Sequence, residues 1–100
     1  MAVTSKALAR TAAATSSATL YTVPSATTAV ITNIAVANTA GSAGTFTLLL
    51  DDVDLHTTTA IAANTTVYID LKQVLAAAKT IKGFASATTI DFHISGVEIS

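Results

Sequence analysis

The 100-residue chain has no cysteine and no tryptophan, a single proline, four glycines and five aromatic residues. Without a thiol it cannot be a disulfide-stapled module, nor can it hold a metal through thiolates. Charge is equally scarce. Five Lys and Arg stand against six Asp and Glu, only 11% of residues are charged, and the formal net charge is −1. No surplus of cations exists to neutralise phosphates, so binding of nucleic acid through bulk charge is excluded. Long apolar runs are missing too. No stretch approaches the roughly 20 apolar residues that span a bilayer. Near the start, Arg10 interrupts the one candidate for the apolar region of a secretory signal. The expectation is therefore a protein made in the cytoplasm that acts there, or in a particle assembled there, with no membrane partner.

What fills the sequence instead is 21 Ala and 19 Thr. The 27 Leu, Ile, Val and Phe residues exclude a disordered chain, but the core they can build is thin. An Ala methyl supplies little area at about 25 cal/mol per Å², and ordering costs about 1.5 kcal/mol per residue. The two nearly cancel. With so little surface charge to oppose association, contacts with other chains are expected to supply part of the stability.

Strand signals run along most of the chain. Residues 19–23 are β-branched or aromatic and end at Pro24, which lacks the N–H a ladder needs. Residues 28–38 form the longest candidate strand. Strict alternation there places Val30, Thr32, Ile34 and Val36 in the core. A small-residue turn over 38–44 leads to a strand with Phe46, Leu48 and Leu50 inward. After a turn at Asp51–Asp54, a short strand over 53–59 and a loop over 61–64 are expected. Residues 65–71 alternate, with Val67, Ile69 and Leu71 inward and Tyr68 and Asp70 outward. Residues 73–79 read equally as a helical turn, since Gln, Leu, Ala and Lys favour helix. Strands over 80–85 and 89–99 follow, with Gly83 and Gly96 as candidate bulges. At Gly96 the phase is expected to shift, carrying Val97 and Ile99 onto the apolar face. Phe46, Phe84 and Phe92 are all expected to face inward. The pattern predicts an all-β fold of seven or eight short strands, an antiparallel β-sandwich or jelly-roll-like domain over residues 17–100. Residues 1–16 show no sustained alternation and are expected to form an N-terminal arm that gains order only on a partner.

Few residues are suited to chemistry. His56 and His93 each follow an aspartate by two positions, Asp54 and Asp91, and on a strand such residues share a face. Were the two strands neighbours, the four side chains would converge as metal ligands. The plainer reading places them on a solvated face. Asp51, Asp52 and Asp54 resemble the start of a calcium loop, but the required glycine and glutamate are replaced by Thr57 and Ala63. No nucleophile elbow and no phosphate-binding glycine loop occurs. Lys79 and Lys82, the nearest pair of cations, are too few for a nucleic-acid patch. The reading is a non-enzymatic protein with no catalytic, cofactor-binding or metal-binding residues and no cofactor.

The segment Leu20-Tyr21-Thr22-Val23-Pro24-Ser25-Ala26-Thr27-Thr28-Ala29 resembles small structural proteins of tailed-phage virions. Similar features follow it: Val36-Ala37-Asn38-Thr39, the turn and strand over 41–50, the loop Ile61-Ala62-Ala63-Asn64-Thr65-Thr66, and the C-terminal Ile90-Asp91-Phe92-His93-Ile94-Ser95-Gly96-Val97-Glu98-Ile99. The match covers residues 19–99. It departs at Ala78-Lys79, where the family pattern has Gly-Asp. The resemblance implies a β-sandwich building block of a virion, above all a capsid decoration or cement protein that binds the major capsid protein or other subunits, often as a trimer. A tail, neck or fibre-base protein is the second placement it implies. A carbohydrate-binding sandwich is a third reading, for which only Tyr21 and Tyr68 are left as stacking platforms.

Overall fold

A computed structural model describes residues 2–100 and leaves Met1 undescribed. Eight strands run in order: β1 Val3–Ala12, β2 Ala18–Thr22, β3 Thr28–Asn38, β4 Gly44–Leu50, β5 Val53–Ile61, β6 Thr65–Leu75, β7 Thr80–Ala85 and β8 Ile90–Ile99. Among the described residues there is no helix. One sheet has the order β1-β8-β3-β6 and the other β2-β7-β4-β5. Every pairing is antiparallel. The first strand pairs with the last, the second with the seventh, the third with the sixth and the fourth with the fifth. This is one long antiparallel hairpin rolled into two packed sheets, the eight-stranded jelly roll.

Phe46, Leu48, Ile31, Ile34, Val36, Ile81, Ile90, Phe92 and Ile94 fill the space between the sheets, each at most 1% exposed. The Phe46 and Phe92 rings meet edge to face across it, with centroids 6.4 Å apart. Tight turns join neighbours. Asp51 and Asp52 both take positive φ, 54° and 59°, in the two-residue turn between β4 and β5, whose backbone twist matches that of the flanking strands.

Several sequence expectations are corrected. Residues 3–12 are not an arm: they form β1, in register with β8 from Val3 opposite Ile99 to Ala12 opposite Asp91. The alternation is faint because its inward residues are small or polar. Only Leu8, at a bulge, and Ala13 just beyond the strand become buried. Residues 73–75 continue β6 instead of starting a helical turn, because backbone pairing to β3 outweighs helix propensity. Strict alternation on β3 fails at a register shift between Ile31 and Asn33. The extra residue, Thr32, reverses the phase, so that Ala29 and Ile31 are buried while Val30 faces out. The shift lies opposite Gly96, but β8 itself keeps its phase through the glycine, so Val97 points outward. A Cβ at Gly96 would collide with the Val30 carbonyl oxygen and with Leu8, so a glycine is needed where β3 crowds β8. On β7, Ile81, Gly83 and Ala85 are buried, which turns Phe84 to the outer face. Ala78 adopts φ 71° in the turn before β7, the left-handed conformation that a glycine accepts without cost and that costs other residues about 1–2 kcal/mol.

Because β1 supplies the outer partner of β8, deletion of residues 2–16 is expected to lower the melting temperature of the free protein by about 10 °C or more, the size of effect that follows from a loss of a few kcal/mol in a 100-residue domain. Thermal unfolding of the truncated chain, followed by circular dichroism, checks this.

Candidate functional site

The candidate metal ligands are not brought together. Asp54 and His56 lie on β5 and Asp91 and His93 on β8, strands of opposite sheets. Nor do the two members of the first pair share a face. Leu48 lies opposite His56 while its neighbour Leu49 lies opposite Asp54. Leu55 is thus the extra residue of a bulge and Asp54 turns outward, whereas the His56 ring packs 5.7 Å from that of Phe46. His93 sits in the middle of the other sheet, between Arg10 and Ala35. Among the described residues no three His, Asp or Glu side chains are grouped to hold a metal ion. The aspartates of the β4–β5 turn are occupied: Lys82 Nζ lies 2.7 Å from Asp52 and Lys79 Nζ 3.5 Å from Asp51.

Buried polar groups serve the fold. Asn38 is 3% exposed. Its amide donates to the Ser42 and Ala62 carbonyls, and its oxygen accepts from the Ala40 N–H. It ties the turn after β3 to the loop after β5, a role no sequence pattern announced. A groove of about 210 Å³ beside β4 and β7 is lined by Thr45, Thr47, Thr58, Phe84 and Ser86 among others and contains no charged group.

One polar cluster joins the two sheets. The Tyr21 hydroxyl, on β2, donates to the carboxylate of Glu98, on β8. Lys6 Nζ, on β1, reaches the same carboxylate at 3.3 Å. The hydrogen bond from Tyr21 holds the Glu98 carboxyl below its usual range; partial burial opposes this, and Lys6 reinforces it. Burial, followed by the carboxylate itself, pushes the Tyr21 phenol well above its usual value.

The outer face of the β1-β8-β3-β6 sheet carries an apolar strip. Register places Val3 beside Ile99, and Val97, Val30 and Val74 side by side on its outer face. Val3 and Val74 are 64% and 67% exposed. Farther along β6, Tyr68 is 71% exposed; Tyr21, the other candidate stacking platform, is committed to Glu98. A scan against protein-family models finds no match for this chain, and a search of curated proteins finds none either.

The Tyr21–Glu98–Lys6 cluster has a pH signature. A carboxyl held low in the fold contributes stability that is fully present above its unfolded value near 4.3 and is lost as pH falls through its folded value. Wild type is expected to lose melting temperature on acidification below about pH 4.5 more steeply than Glu98→Gln. Parallel melting curves of the two proteins from pH 7 to pH 2.5 check this; superimposable pH profiles would contradict it.

Proposed function

We propose that this chain is a non-enzymatic structural protein of a virion, a capsid decoration or cement subunit that stabilises a shell by adding contact area to the major capsid protein. The observation that carries the reading is the uncharged outer strip formed by Val3, Ile99, Val97, Val30 and Val74, on a protein with little charge elsewhere. Apolar side chains set side by side on a surface mark contact with other proteins, and a decoration subunit needs such a face and no reaction centre. Two further points support it. The jelly roll recurs among viral capsid domains, a likeness of architecture only. The strand and turn segments over residues 19–99 resemble those of small virion proteins. Self-association belongs to the same reading, since the core is thin and surface charge is low.

Immunogold labelling of purified particles from the virus that encodes the chain tests the proposal. The expected result is label spread regularly over the shell, together with lower heat resistance of particles assembled without the protein. Label confined to the tail would move the protein to a tail component, and absence of the protein from particles would overturn the virion reading.

A further inference from the structure

Four strands lie at sheet edges: β1 and β6 in one sheet, β2 and β5 in the other. An edge strand offers unpaired N–H and C=O groups to any second strand, and proteins blunt such edges with bulges, short strands, proline and charge. All four carry a register shift. Strand β1 carries a register shift at Leu8 together with Lys6 and Arg10. Strand β2 has five residues, contains a register shift and runs into Pro24. Strand β5 has two register shifts, and Thr58 takes φ 44° within it, a costly conformation for a β-branched residue.

Strand β6 is the longest of the four. It is 11 residues long, with no glycine, no proline and no positive φ. Like the other three it carries a register shift, where Leu71 and Lys72 together stand opposite Thr32 of β3, but exposure still alternates from residue 66 to residue 72. Residues 66, 68, 70, 72, 73 and 74 are exposed, while 67, 69 and 71 are half-buried and 75 is buried. Among the described residues, none from 65 to 75 has a backbone hydrogen bond outside the pairing with β3.

The outward side chains of β6 are self-complementary about Leu71. Lay a second β6 antiparallel against the first, with Leu71 facing its own copy. Asp70 then stands opposite the partner's Lys72, and Lys72 opposite the partner's Asp70. Tyr68 stands opposite the partner's Val74, and Val74 opposite the partner's Tyr68. These are the only two charges on the strand, and they are joined by two of the four large hydrophobic side chains that stand exposed on the protein. Within the monomer neither charge is in an ion pair among the described residues. Asp70 has only a 3.4 Å contact from the Asn33 amide. A lysine on an edge normally repels a second strand; here it meets a carboxylate. Opposite charges and aromatic–aliphatic pairs placed directly across an antiparallel ladder are the pairs that stabilise it, and a two-fold axis makes each of them twice.

We propose that β6 is a homodimerisation edge. Two copies join through β6 about a two-fold axis at Leu71, and the two four-stranded sheets become one continuous eight-stranded sheet. The occupant of the edge is a second copy of this chain, and the symmetry is two-fold, not the three-fold of the trimer that the family resemblance implies. The inference stands apart from the virion reading, since it uses only the strand's own sequence and exposure.

Sedimentation of the full chain from about 1 µM to about 1 mM, the range in which weak pairs assemble, tests it. The expected result is a reversible monomer–dimer equilibrium. Asp70→Lys sets lysine opposite lysine at both contacts, Lys72→Asp sets aspartate opposite aspartate, and each is expected to weaken the dimer at least about tenfold. An equimolar mixture of these two variants restores both charge pairs and is expected to form a heterodimer close to wild-type strength. Val74→Lys, which reverses no charge, gives an independent disruption should either charge variant melt early. A wild-type monomer at about 1 mM, a trimer, charge variants that dimerise as wild type does, or a mixture that stays monomeric would each overturn the proposal.

Discussion

The structure depends on where the last strand goes. β8 lies between β1 and β3, so the sheet is complete only when the C-terminal residues insert between two strands made much earlier. Its inward residues Ile90, Phe92 and Ile94 are at most 1% exposed, and Gly96 continues their line where backbone crowding leaves no room for a side chain. The same insertion gives β1 its partner strand and brings Glu98 to Tyr21 of the opposite sheet. Contacts between residues far apart in sequence therefore carry the fold, as its rolled-hairpin topology requires, and such folds form slowly because distant ends must meet first.

Within a strand, much of this was legible. The alternations at Phe46–Leu50, Val67–Leu71 and Ile90–Ile94 each mark the face that the structure turns inward. What escaped depends on pairing. The phase of β3 is set by a bulge opposite β8, not by its own pattern. Phe84 faces out because Gly83 must face in, against Leu48. β1 could not be recognised from Ala, Thr and Ser, which signal a strand only once a partner exists. The turn at Ala78 takes a left-handed conformation that favours glycine, and no glycine stands there to announce it.

The candidate chemistry was less legible, for a physical reason. The titratable groups are engaged in contacts that pairing between strands creates. His56 is spent on packing against Phe46, the turn aspartates on lysines, and Glu98 on holding the sheets together. An apolar strip crosses one sheet, and the long β6 edge lies beside it. Such surfaces are arranged by register between strands, and register cannot be read from one strand alone.

Hydrogen exchange resolved by residue tests the central claim about β8 most directly. If β8 locks the sandwich, the paired amides of β8 and β3 exchange only by global unfolding, with the same free energy as the most protected amides of β4 and β7. Exchange of β8 at a markedly lower free energy, while β4 and β7 stay protected, would show that the other strands hold together without it and would contradict the account.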